Sequence, residues 1–138
     1  MSSWLRRSIW FSRLVLAGSA LLMTRVGMAN VINPVAEAAR HQMTLGSPDA
    51  ITVMRVEGGV FVGIAAVLVA CVVSKRWLFA GLGFFAVIIA AITAARLVGL
   101  ALDGPGPFTL MVLKPEIALV VLSTIAVLLE RHRQKTLS

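Results

Sequence analysis

Four apolar runs, each long enough to cross a bilayer, limit what this chain can fold into more than any other feature. They lie at about 9–28, 51–73, 77–102 and 108–129. A membrane span takes about 20 mostly apolar residues at a rise of about 1.5 Å each. No water reaches backbone N–H and C=O groups inside hydrocarbon, so each run must satisfy its own as a helix rather than an open strand. The sequence therefore predicts an all-α integral membrane bundle of four transmembrane helices, one unit covering residues 1–138. Composition agrees: 59% of the chain is hydrophobic and 14% charged, against about 45–50% and about 25% in soluble domains. "SKRW" at 74–77 leaves room only for a tight connection, which makes the second and third spans an antiparallel hairpin.

A net charge of +7 in a soluble chain would suggest nucleic acid. In a membrane protein the placement of the charges matters more than their sum. Arg6, Arg7, Arg13, Lys75, Arg76, Arg131, Arg133 and Lys135 fall on one side of the four spans, and Arg25 and Arg40 near the other. By the positive-inside rule both termini are cytoplasmic, in a bacterial inner membrane, with the 29–50 loop and the "DGPGP" turn outside. Trp4, Trp10 and Trp77 fall at the expected cytoplasmic boundary, where amphipathic rings partition. The competing reading is a cleavable signal peptide: a basic start, a short apolar centre and "GMA" at 27–29. It would leave three spans and an external N-terminus. The basic tail "ERHRQK" reads as an orientation signal and a contact for anionic lipid, not for nucleic acid.

The outer loop carries its own start signals. Asn33 before Pro34, with Val35, Ala38, Ala39 and Met43 at helical spacing, predicts a short surface helix ended by Gly46. Ser47, Pro48 and Asp49 then repeat the pattern of cap, first-turn proline and dipole-complementing acid at the start of the second span.

Charges inside the spans are the candidates for function. Arg25, Arg55, Glu57, Arg96, Lys114 and Glu116 fall in the outer part of four different helices, with Asp103 at the mouth. Arg96 lies about 9 Å before the outer end of its span and Glu116 about 12 Å after the start of its own. A charge at the bilayer centre costs from about 2.5 to over 10 kcal/mol. Near the interface long side chains snorkel to the headgroups, so anchoring of helix ends is the plain alternative to a site. Glutamate is too short to reach far, so Glu116 calls for a partner. Arg96, Gly99, Leu100 and Asp103 share one helical face, yet Arg96 and Asp103 are two turns apart, about 10.5 Å, and so flank something rather than bond. Counted together, Arg25, Arg55, Arg96 and Lys114 exceed Glu57, Asp103 and Glu116 by one positive charge, which favours a small anion or a lipid headgroup.

Small residues mark candidate packing faces. Gly59 and Gly63, four apart beside Gly58, form a small-xxx-small seam for close helix approach, and Gly99 adds a gap on the third span. Pro115 is expected to kink the fourth span or to mark a broken helix start. Recognised catalytic and metal motifs are missing: no CxxC, no paired histidines, no phosphate-binding glycine loop and no nucleophile elbow. Cys71 is a lone cysteine in an apolar run, and His41 and His132 fall on opposite sides of the membrane. No cofactor, metal or enzymatic activity is therefore expected, although a carboxylate could in principle act as a general base. Two functions are compatible with this reading. One is binding or transport of a small anionic ligand or lipid headgroup in an outward-opening charged pocket. The other is a non-catalytic accessory or assembly subunit whose glycine seam packs on other membrane subunits or a second copy.

"RVEGGVFVG" at 55–63, "ARLVGLALDGPGP" at 95–107 and a glutamate in the last span together resemble the domain of unknown function 4345 family, small bacterial membrane proteins with four helices. The resemblance runs over about residues 14 to 129. It falls on Arg55, Gly58, Gly59, Arg96, Gly99, Leu100, Asp103, Gly104 and Glu116, and implies positions but no activity. Lys114-Pro115, where apolar residues are usual, and Glu57, where an aromatic is common, depart from the family's pattern.

Overall fold

The computed structural model describes residues 3–137, with side chains from 7 to 136; the side chains of Trp4 and Arg6 lie outside the described residues. Its elements are α1 (Ser3–Ile32), α2 (Pro34–Arg40), α3 (Pro48–Val73), α4 (Leu78–Asp103) and α5 (Pro107–Leu137). The four long helices are apolar and long enough to cross a membrane. At 26 residues, α3 and α4 are each about 39 Å long, more than the roughly 30 Å of hydrocarbon they must cross.

Local chemistry sets the boundaries. Asn33 caps α2 by accepting from Ala36 N–H, and Ser47 caps α3 by accepting from Ala50 N–H at 3.1 Å. The end of α2 differs from expectation. It stops at Arg40, well short of Gly46, because Gln42 takes the left-handed conformation (φ 58°) and Met43 N–H closes back on Ala38 C=O at 2.9 Å. That closure satisfies a terminal carbonyl without glycine. Only Ala38 of the four expected apolar residues is buried; Val35, Ala39 and Met43 are exposed. The fourth span also continues through Pro115 without a break.

The long helices pack in the cyclic order α1, α3, α4, α5, with α3 and α5 at opposite corners and out of contact among the described residues. One end of the bundle carries both termini and the α3–α4 turn; the other, the loop end, carries α2 and the α4–α5 turn. The core joins Leu16, Ala20, Ile64, Leu68, Leu82 and Phe85, while Val53, Val60, Val87, Val98 and Val121 point outward. Apolar residues on both faces are what a helix between protein and lipid requires.

Close approach of α1 and α3 rests on a glycine pair. A Cβ on Gly58 would lie 2.6 Å from Gly27 O, and one on Gly27 would lie 2.7 Å from Gly58 O. Missing side chains thus let two backbones touch, the arrangement membrane helices use when no hydrophobic force joins them. This corrects the expected seam. Gly59 and Gly63 have nothing within 4 Å, and Gly99 meets only Asp103 of its own helix. The helix is rotated about 100° per residue, so the glycine beside Gly59 is the one that faces α1.

Candidate functional site

The α4–α5 turn is built from residues that forbid continued helix. Gly104 adopts φ 87°, where side chains are disfavoured, and Pro105 and Pro107 lack N–H groups. Helix α5 then starts at Pro107, its first ladder bond being Leu110 N–H to Gly106 C=O at 3.1 Å. A hairpin is thereby fixed that brings Arg96 of α4 against Glu116 of α5.

Arg96 and Glu116 form a bidentate ion pair. Nε donates to Oε2 and Nη2 to Oε1, both at 2.8 Å. The glutamate side chain is 8% exposed and the arginine 22%. Fork-on-fork pairing of this kind is short, planar and charge-assisted, and it fixes guanidinium orientation as well as lowering its energy. The Phe108 ring lies under the guanidinium, its centroid 5.6 Å from Cζ. Phe108 in turn packs on His41, with centroids 4.2 Å apart, and His41 Nε2 sits 3.4 Å from Glu37 Oε1. The loop after α2 is thereby tied to the start of α5 at the same end of the bundle.

Beside the pair opens a cleft of about 500 Å³, lined by Arg96, Gly99, Leu100 and Asp103 of α4, the turn at 104–106, and Thr109 of α5. That volume is in the range of about 300–1,000 Å³ seen for small-molecule sites. Gly99 keeps the cleft open: only Asp103 Oδ2, at 3.7 Å, stands near where its Cβ would be. Two of the five guanidinium N–H groups of Arg96 are engaged by Glu116, which leaves three donors on the other edges.

The seven charged positions expected to form a pocket separate into three groups. Arg96 and Asp103 line the cleft, with Glu116 bonded to Arg96 beside it. Arg55 is exposed and donates from Nη1 to Val31 C=O, tying α3 to the end of α1. Arg25, Glu57 and Lys114 are exposed, and no ion pair joins them to another described residue. The excess of positive charge counted over all seven does not apply to the cleft. Arg96 and Glu116 offset each other there, and Asp103 adds a carboxylate.

A second interior ion pair was not legible from the pattern of outer charges. Glu130 is fully buried near the terminal end of α5, paired with Arg133 one turn on. Sequence alone placed both in a basic tail read as an orientation signal and a contact for anionic lipid. The signal was the spacing: Glu116, Ser123 and Glu130 recur every seven residues, two helical turns, and all three are buried. Ser8 and Ser12 hydroxyls and Arg13 Nε, near the start of α1, are buried without a hydrogen-bond partner. Among the described residues no group of three His, Cys, Asp or Glu side chains could hold a metal ion.

The model of the domain of unknown function 4345 family (DUF4345) matches residues 11–127. No curated protein and no solved structure matches the chain. The chain belongs to the DUF4345 family, and the match contains both Arg96 and Glu116 and the whole cleft between α4 and α5.

Proposed function

We propose that this membrane protein is a non-catalytic binding protein that holds an anionic group, a lipid headgroup phosphate or a small free anion, in the cleft between α4 and α5. In this reading the loop end faces outward and both termini lie in the cytoplasm, in a bacterial inner membrane. The observation that carries the proposal is the bidentate Arg96–Glu116 pair at the cleft wall. An arginine held by its own carboxylate cannot swing away to snorkel, so its remaining donors stay directed for a ligand at no further ordering cost. The start of α5 adds the N–H groups of Phe108 and Thr109, which precede the first ladder bond, and the positive dipole end of a long helix; Thr109, with Gly106 just before the helix, lines the same cleft. Lipid reaches such a place laterally, and small anions reach it from the water.

Gly99→Leu tests the reading. A Cβ there would meet only Asp103 Oδ2, at 3.7 Å, and no backbone of another element, so a leucine should extend into the cleft while the bundle and the Arg96–Glu116 pair remain. Native mass spectrometry of protein released from lipid nanodiscs should show phospholipid or anion retained by the wild type and lost by Gly99→Leu. Equal retention by both would place the bound molecule elsewhere and end the proposal.

The accessory-subunit reading draws on a different face. Gly59 and Gly63 of α3 are exposed with open space above them, and Glu57 of the same helix is an exposed charge within a candidate span. A helix of another subunit could cover them. Stoichiometric co-purification of a second membrane protein, lost on Gly63→Leu, would favour it.

A further inference from the structure

The cleft holds a second charge that an anion site does not need. Asp103 is the last residue of α4, and its carboxylate does not extend away along the helix axis. Its Oδ2 folds back over Gly99, one turn closer to Arg96. Arg96 and Asp103 line the same cavity, and no described cation is paired with Asp103. With Arg96 matched by Glu116, the carboxylate would leave a cleft holding only an anion with an unfavourable balance. A ligand that carries its own positive group, a short distance from its negative one, removes that conflict.

We infer that the cleft is selective for a zwitterion bearing a phosphate and a primary ammonium, the phosphate on the Arg96 side and the ammonium on Asp103. This rests on the anion-binding reading above and goes further by naming the class. The two groups sit about two helical turns apart at their backbones, about 10.5 Å, and the Asp103 carboxylate reaches back over Gly99, shortening the gap between them across the cavity both line. A phosphate takes up the directed donors of guanidinium and helix N-terminus. An ammonium offers three donors, of which the Asp103 carboxylate and the Thr109 hydroxyl can each accept one. Thr109 Oγ1 lies within reach of the turn, 3.7 Å from where a Gly106 Cβ would be. Phosphoethanolamine carries both groups, as the headgroup of phosphatidylethanolamine or as the free compound.

The test compares headgroups on the full chain reconstituted in nanodiscs. Wild-type protein should retain phosphatidylethanolamine over phosphatidylglycerol, which lacks the ammonium, and over phosphatidylcholine, whose methylated nitrogen has no N–H to donate. The expected preference is about tenfold, equal to about 1.4 kcal/mol. Asp103→Asn should abolish that preference while total phospholipid retention persists. Asp103 is exposed and bonded to no described residue, so the variant should fold as the wild type does. Competition by free phosphoethanolamine at concentrations that displace the lipid would assign the soluble compound as the ligand. Displacement only by added phosphatidylethanolamine vesicles would assign the lipid. Equal wild-type retention of phosphatidylethanolamine and phosphatidylglycerol overturns the selectivity but leaves anion binding standing. No retention of any lipid or of free phosphoethanolamine removes both.

Discussion

Removing Arg96 should cost this bundle more than removing any other single charge at the loop end. The side chain of Glu116 is 8% exposed and both its oxygens accept from Arg96 at 2.8 Å. Arg96→Ala leaves that carboxylate buried with no described cation to replace its partner. Breaking a buried pair from one side costs about 3–5 kcal/mol, because the survivor keeps its desolvation penalty and loses its compensation. Glu116→Gln should cost less, about 1–3 kcal/mol, since the amide can still accept one hydrogen bond and Arg96 is the more exposed partner. In the double variant the amide carries no charge to strand, so most of the Arg96→Ala penalty is recovered. The coupling energy should fall near the top of the range for contacting residues, about 2–3 kcal/mol. Arg96→Lys should recover only part, because a single ammonium cannot bond both oxygens along parallel lines. Reversible unfolding of the four variants by denaturing detergent in bicelles measures the cycle. Additivity to within about 0.5 kcal/mol would show that the two side chains do not interact, and the cleft wall would lose its organising pair.

Three further outcomes follow from the geometry. Gly58→Ala should destabilise by about 1–3 kcal/mol, because its Cβ would meet the Gly27 backbone oxygen at 2.6 Å; Gly59→Ala, with open space, should leave the unfolding curve unchanged. Gly104→Ala should cost about 1 kcal/mol, since φ 87° is unfavourable to any side chain; an unchanged curve would mean that the turn relaxes freely. Reporter fusions after Ser138 should be active only when the reporter works in the cytoplasm, following the basic residues clustered at that end; activity confined to the outside would reverse the proposed orientation.

The large features were legible because hydrophobic length and capping chemistry are local. Four runs of apolar residues became four long helices, and Asn33-Pro34 and Ser47-Pro48 started α2 and α3 where their side chains could accept backbone N–H groups. Glu116 also announced its need for a partner, since a short acid in an apolar helix has few other ways to be accommodated. What was hidden depends on rotation and on long-range contact. Adjacent Gly58 and Gly59 differ by about 100° around α3, and only the position of Gly27 on another helix decides which one is used. Gln42 took the place expected of Gly46 because ladder closure on Ala38 fixed the end of α2 before any glycine was needed. Glu130 looked like part of a basic tail, although its seven-residue spacing from Ser123 and Glu116 sets it on the same buried face of α5. The expected seven-charge pocket shrank to Arg96, Glu116 and Asp103 because similar depth does not give similar direction. Lys114 lies about 200° around α5 from Glu116 and is exposed, whereas Glu116 is buried.

The proposal that Arg96, held by Glu116, offers its remaining donors to a phosphate can be observed directly by solid-state NMR in phospholipid bilayers. Recoupling between lipid ³¹P and ¹⁵N-labelled arginine guanidinium groups reports which arginines touch phosphate. Arg25, exposed near one end of α1, can give surface contacts of its own, so the informative quantity is the difference between wild type and Gly99→Leu. A guanidinium–phosphate contact assigned to Arg96 is expected in the wild type and absent from Gly99→Leu, with the other arginine contacts unchanged. An Arg96 signal with no phosphate contact in the wild type, or one that persists undiminished when the cleft is filled, would contradict it.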